Sequence, residues 1–267
     1  MDDLLVRVLA ALDEMLAIGN ESFEAEAALF IRNRKLPKVR DANHVRRLRT
    51  ATPEAIDLLL RRVEEEFSGF PHRRLDADPF TPPHLEARLA LKGYPAHPWL
   101  AMVLEGPIRG STREAEIRRV GNPTAWKEYQ GLLRDDAKEW EARMGRSYQA
   151  RMPEAILAAR RIKEPAGARF WIAYVENQPA AYLWSWVASN GVGQVEDLFT
   201  HPDFRRRGLA TALIHHGVAD CRSRGAQEVF LLADPSDTPK HMYAAFGFRP
   251  LAVLREYWKA SESAATL

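Results

Sequence analysis

One segment narrows the possible architecture more than any other. Residues 195–211 read Val-Glu-Asp-Leu-Phe-Thr-His-Pro-Asp-Phe-Arg-Arg-Arg-Gly-Leu-Ala-Thr. The β-branched and apolar beginning predicts a strand, Gln194–Thr200, and the periodicity further on predicts a helix, Leu209–Arg222. Between them lies the basic turn Arg205-x-x-Gly208-x-Ala210. A strand that feeds a helix through so short a turn lays that helix on a sheet, so the chain belongs among layered α/β folds. Small residues at the helix start let backbone N–H groups approach an anion closely, and the helix dipole favours negative charge there. Three consecutive arginines add positive charge at the same place, and the turn reads as a pyrophosphate site.

The flanking sequence extends this pattern. Arg113–Arg119 reads as a strand closed by Gly121-Asn-Pro123, and Thr124–Arg161 as two helices, the second starting near Pro153. Phe170–Val175, Ala180–Ser189 and Gln194–Thr200 form a predicted three-strand meander, with a turn at Asn177-Gln-Pro179 and a hairpin at Asn190-Gly191. After the arginine turn and its helix come the strand Glu228–Ala233, a break at Asp234-Pro235, the helix Pro239–Phe246 stopped by Gly247, and the strand Leu251–Trp258. The order β-αα-βββ-α-β-α-β predicts a mixed central sheet flanked by helices.

The first half is less regular. Leu4, Leu5, Val8, Leu9, Leu12 and Leu16 repeat with a helical period. Strands are expected at Leu29–Arg32, His44–Leu48, His72–Asp76 and Trp99–Leu104. Helices are expected at Thr52–Phe67, capped by Thr52 ahead of Pro53, and at Pro82–Leu91, stopped by Gly93. Ala77-Asp-Pro79 followed by Thr81-Pro-Pro-His echoes Ala233-Asp-Pro235 followed by Thr238-Pro-Lys-His, each between a strand and a helix that ends in Gly-aromatic. This echo suggests a duplicated fold. Pro107–Thr112 has linker composition, which places a boundary after residue 107 and gives domains 1–107 and 108–267.

Composition narrows the function classes. The 267 residues are 46% hydrophobic and 28% charged, which suits a sizeable core, and the formal charge of +2 is too balanced for a dedicated nucleic-acid binder. The single cysteine, Cys221, excludes an internal disulfide and fits a reducing compartment, so a cytoplasmic location is expected. No apolar run is long enough to span a bilayer. His215-His216 has no partner at metal-ligand spacing beyond Asp220, so no metal is expected.

Arg205-x-x-Gly208-x-Ala210 after a strand, Tyr243-x-x-x-Gly247-Phe248 further on, and the element order together resemble the GNAT superfamily of N-acetyltransferases across roughly Arg113–Trp258. The doubled arrangement resembles tandem members in which one half has lost its cofactor site. Here residues 1–107 would be that degenerate GNAT-like half. After His44–Leu48 comes Arg49-Thr-Ala-Thr-Pro-Glu-Ala55, with no glycine and with Glu54 where a phosphate would approach, and Leu89 stands where the other half has Tyr243.

In that family two parallel strands splay apart and acetyl-CoA enters between them. The resemblance implies pantetheine contacts at Leu198, Phe199 and Thr200, opened by a bulge, and a CoA pyrophosphate on Arg205, Arg206, Arg207, Gly208, Leu209, Ala210 and Thr211. It implies an N-acetyltransferase that passes the acetyl group directly to a small-molecule primary amine. No metal, nucleic acid or membrane is expected to take part, and a monomer or homodimer is expected.

Such a reaction needs a neutral amine, a stabilised oxyanion and a proton for the leaving thiolate. Tyr243, a phenol protonated at neutral pH, is the expected acid. Glu196 is the favoured base, with Asp197 or a water as alternatives. The two carboxylates point to opposite faces of a regular strand, so only one reaches the cleft unless a bulge intervenes. Seven residues before Tyr243, where many relatives have Asn, stands Ser236. Tyr182, Trp184 and Trp186 alternate on one strand face and fit core better than an acceptor wall. A CoA-binding module without turnover, or a binder of anionic partners through Arg205–Arg207, are the alternatives.

Overall fold

The computed structural model describes residues 2–145 and 147–261. In chain order these form α1 (Asp2–Ala17), β1 (Glu21–Ala25), β2 (Ala28–Arg32), β3 (His44–Arg46), α2 (Pro53–Glu66), β4 (His72–Ala77), α3 (Pro83–Leu91) and β5 (Ala96–Leu104). There follow β6 (Glu116–Arg119), α4 (Pro123–Arg143), α5 (Arg151–Lys163), β7 (Arg169–Val175), β8 (Gln178–Val187), β9 (Val192–Thr200), α6 (Leu209–Ser223), β10 (Glu228–Ala233), α7 (Pro239–Phe246) and β11 (Phe248–Ala260).

Two compact units share these elements. The first takes the described residues of Met1–Met15, Met102–Leu232 and Pro239–Pro250; the second takes those of Leu16–Ala101, Ala233–Thr238 and Leu251–Leu267. The units therefore interleave along the chain. β5 begins in the second and ends in the first, and β11 does the reverse.

In the first unit the strand order is β10-β9-β8-β7-β6, antiparallel from β9 to β6 and parallel between β9 and β10. α4 starts as its sequence dictates: Asn122 Oδ1 accepts the Ala125 N–H at 2.9 Å, with Pro123 in the first turn. It packs through Tyr129, whose ring lies 4.9 Å from that of Tyr182 and 5.6 Å from that of Phe170. α6 lies very close to the sheet. A Cβ on Gly217 would stand 2.8 Å from Leu183 Cδ2 and 2.9 Å from Val195 Cγ1. Buried Asp220 on the same helix accepts from Arg169, Ser185 and Arg224, which ties α6 to β7 and β8. These contacts fix where the helix begins.

The second unit runs β1-β2-β3-β4-β11, with β3 and β4 parallel. One sheet face carries Phe30, Val45 and Leu75, buried against Ile56, Leu59 and Val63 of α2 and Leu85 and Leu89 of α3. Its succession of three antiparallel strands, helix, parallel strand and helix repeats that of β7-β8-β9-α6-β10-α7. Val45, Leu48 and Thr50 precede Val195, Leu198 and Thr200 by 150 residues. Arg47 and Asp197, at the same offset, both take left-handed backbone, with φ of 52° and 58°.

Candidate active site

The arginine turn forms as its residue types require. Pro202–Phe204 makes one turn of 3-10 helix after β9. Arg206 then adopts φ 65° and Gly208 φ 85°, and Gly208 is the N-cap of α6. No side chain caps this helix and no acidic residue occupies its first turn. The first helical hydrogen bond runs from Ala212 N to Gly208 O at 3.0 Å, so the N–H groups of Arg206 to Thr211 find no acceptor among the described residues. Six open donors at a positive helix end form an anion cradle.

The three arginines have different surroundings. Arg205 donates to Thr200 O at 3.0 Å and pairs with Glu139 of α4, so its side chain braces the turn. Arg207 lies over the Phe204 ring at 5.5 Å. Arg206 is exposed and its side chain has no ion-pair partner among the described residues. Thr211 is half-buried.

Beside the turn, β9 and β10 part company. Their parallel pairing runs from Glu228↔Val192 to Phe230↔Gln194 and extends no further. Against β8, Glu196 pairs with Trp184 and Phe199 with Tyr182, so three residues of β9 span two of β8 and a bulge at Asp197 and Leu198 opposes Leu183. The bulge breaks the strand's parity. Glu196 shares a face with Phe199 rather than with Leu198 and Thr200, and Asp197 joins that face, since its Oδ2 accepts from Trp184 Nε1.

The two carboxylates are held differently. Glu196 Oε1 accepts the Leu232 N–H of β10 at 2.9 Å and Gln194 Nε2 at 3.1 Å. Asp197 accepts from Arg160 of α5 at 2.7 Å, and Arg160 also donates to Tyr129 Oη at 2.8 Å. The Asp197 side chain stays 41% exposed, whereas Arg160 is 11% exposed. Behind them Tyr182 donates to Asp136 of α4, whose pKa burial pushes up. Tyr182, Trp184 and Trp186 are all buried, and Trp186 Nε1 donates to Ala166 O, so the stripe is core.

Tyr243 lies on α7, 8% exposed, with its ring centroid 6.3 Å from that of Phe248. Ser236 spends its hydroxyl on Asp234 Oδ1 at 2.6 Å. Cys221 is buried and its thiol is pushed up to about 11 by burial, which keeps it unreactive. His215 and His216 pack edge-on against Phe246 and Trp171, and burial lowers the pKa of each. The Asp197–Arg160–Tyr129 chain has no sequence signature, because it joins residues on three separate elements.

The second unit has the same elements without an open cradle. Thr52 caps α2, its hydroxyl accepting the Ala55 N–H, and Glu54 occupies the first turn. Arg49, just beyond β3, makes a bidentate pair with Asp78, just beyond β4, at 3.0 and 2.8 Å.

The first unit thus combines a mixed sheet whose parallel strands diverge with a helix start that carries no side-chain cap. Residues 127–248 match the model of the acetyltransferase (GNAT) family, and the chain carries a GNAT-family domain there. No curated protein matches the chain. Among solved structures it is similar to a GCN5-related N-acetyltransferase from Kribbella flavida, at 16% identity over 98% of each chain with a TM-score of 0.71. A GCN5-related N-acetyltransferase from Sphaerobacter thermophilus is 18% identical over 88% of this chain and 76% of that one, with a TM-score of 0.54. A tandem GNAT protein from the clavulanic acid biosynthesis pathway is 12% identical over 78% of this chain and 67% of that one, with a TM-score of 0.53. These likenesses are of fold, including the tandem arrangement.

Proposed function

We propose that the chain is an acetyl-CoA-dependent N-acetyltransferase that acetylates a primary amine of a small molecule by direct transfer in a ternary complex. The observation that carries this reading is the run of open N–H groups from Arg206 to Thr211, next to the point where β9 and β10 separate. The donor set suits a pyrophosphate: six backbone donors, the exposed side chain of Arg206, and small Gly208 and Ala210. Arg205 serves through its position and its brace to Glu139. Leu198, Phe199 and Thr200, at and after the bulge, are the residues for the pantetheine arm.

Bound acetyl-CoA supplies an activated acetyl thioester. The chain's own part is to orient the amine, which is worth several kcal/mol of barrier as a general effect, and to manage protons. Tyr243 is assigned the proton for the leaving thiolate. For the amine's proton the candidates are one carboxylate at the bulge, Glu196 or Asp197, or a water. Residues 1–107 are assigned as the degenerate copy and 108–267 as the catalytic domain; in support, the second unit, which draws Leu16–Ala101 from the first range and Ala233–Thr238 and the described residues from Leu251 on from the other, caps its helix start and pairs Arg49 with Asp78.

A thermal-shift titration with acetyl-CoA, CoA and a nucleotide control tests the reading. At about 100 times its dissociation constant, acetyl-CoA adds ~2.7 kcal/mol of stability. Absence of a shift in protein freed of bound CoA refutes the cofactor assignment. An amine panel with free-thiol detection then separates turnover from binding alone.

A further inference from the structure

Glu196 stands where a general base is expected, yet its geometry gives it another task. Pairing between β9 and β10 stops at Phe230↔Gln194, and the next inward N–H of β10, at Leu232, loses a backbone partner. An orphaned buried N–H is costly, about 1–3 kcal/mol. Glu196 Oε1 takes that N–H at 2.9 Å and receives Gln194 Nε2 at 3.1 Å on the same atom. A side-chain oxygen is thus interposed where a ladder bond would otherwise draw the strands to the usual ~4.8 Å spacing. The next residue, Asp197, turns left-handed and begins the bulge.

In the second unit Arg46 stands at the position 150 residues before Glu196, β3 and β4 pair only at Val45↔Leu75, and the strand ends are linked by the Arg49–Asp78 pair instead of by a side chain accepting a strand N–H.

We propose that Glu196 is a positioning residue: its carboxylate replaces the missing ladder bond to Leu232 and holds β9 and β10 apart, which keeps the gap open for the pantetheine arm. The proposal rests on reading that gap as the seat of acetyl-CoA, and it assigns Glu196 to maintaining the gap rather than to proton abstraction.

The test compares Glu196→Gln, which keeps an accepting oxygen, with Glu196→Ala, which removes it. Glu196→Asp, one methylene short, gives the same contrast should the alanine variant fail to fold. In ligand-free protein, amide exchange at Leu232 followed by NMR is slow in wild type and Glu196→Gln and about tenfold or more faster in Glu196→Ala. Calorimetry with acetyl-CoA shows Glu196→Gln within about threefold of wild type and Glu196→Ala weakened about tenfold or more. The acid limb of the kcat/KM pH profile keeps its midpoint in Glu196→Gln.

Exchange at Leu232 unaltered by Glu196→Ala overturns the proposal. So does an acetyl-CoA affinity lost equally in both variants, or an acid limb abolished in Glu196→Gln with affinity intact, which would mark Glu196 as the base. Wild-type protein that fails to bind acetyl-CoA refutes the cofactor reading instead, and the Leu232 exchange still decides the strut.

Discussion

No side chain caps the start of α6, and supplying a cap from within the chain separates binding from folding. Thr211 is the third residue of the helix, the position from which a Glu side chain reaches back to the N-cap N–H. Thr211→Glu therefore places a carboxylate in the cradle assigned to the pyrophosphate. Capping an uncapped helix is worth about 1 kcal/mol, and a carboxylate in the first turn gains a further ~0.3–1 kcal/mol from the dipole. The ligand-free protein should melt ~2–4 °C higher for each kcal/mol gained. Acetyl-CoA must displace that carboxylate and bear its charge. Two like charges 4 Å apart repel by about 1 kcal/mol in water and more near a protein surface. The sum is ~2–3 kcal/mol, a loss of about 30- to 150-fold in affinity. Thr211→Gln supplies the cap without the charge and should weaken binding by only the capping share. Differential scanning calorimetry and isothermal titration read both quantities on one preparation. Affinity within about twofold of wild type in Thr211→Glu, or equal losses in the Glu and Gln variants, would refute the placement of an anion on these N–H groups.

Further outcomes follow from the same geometry. Tyr243→Phe lowers kcat at least about tenfold with acetyl-CoA affinity nearly unchanged, as loss of a general acid requires; full activity would remove Tyr243 from that role. Gly217→Ala puts a methyl group 2.8 Å from Leu183 Cδ2 and costs ~1–3 kcal/mol, seen as a lower urea midpoint; a neutral result would show that α6 lifts from the sheet at little cost. Stability should also fall with acidification. Burial pushes His44 down to about 3 and His72 to about 4, in a cluster with Asp41, Arg46, Arg74 and Asp76. Both histidines titrate near 6.5 in the unfolded chain. Between those limits the unfolded chain takes up protons that the folded chain refuses, so stability is full above about pH 7 and declines from about pH 6.5 toward 4. A urea midpoint constant from pH 7.5 to 5 would contradict this, and His44→Gln should flatten the slope.

Much of this architecture is written in local chemistry. The arginine turn, the helix after it, Glu228–Ala233 and Pro239–Phe246 fall where turn residues and periodicity place them, because glycine and proline mark each of their ends. β1 went unpredicted for the converse reason. The turn joining β1 to β2 is Glu26-Ala27, both left-handed at φ 51° and 53°, and neither residue type announces such a turn. A bulge in this strand follows from the family resemblance alone; its place at Asp197 leaves no local mark in the sequence, yet it decides which way Glu196 and Asp197 face. The interleaving of the units through β5 and β11 also leaves no mark, because a strand's composition reports its burial and not its partner.

The comparison of α2 with α6 turns on which local rules each obeys. α2 starts as a stable helix should, with Thr52 as cap, Pro53 in the first turn and Glu54 against the dipole, and Arg49 and Asp78 pair across the neighbouring strand ends. α6 has none of these devices: its N-cap is a glycine in left-handed backbone, and its first N–H groups have no protein acceptor among the described residues. Without a side-chain cap or a first-turn carboxylate, α6 lacks the stabilisation that those devices give α2. A helix start with no side-chain cap and no acidic first-turn residue in one unit, while the matching helix in the other has Thr52 as cap and Glu54 in its first turn, fits the proposed anion. That contrast within a single chain, more than the arginines themselves, is what supports the proposal of Arg205–Thr211 as the binding turn.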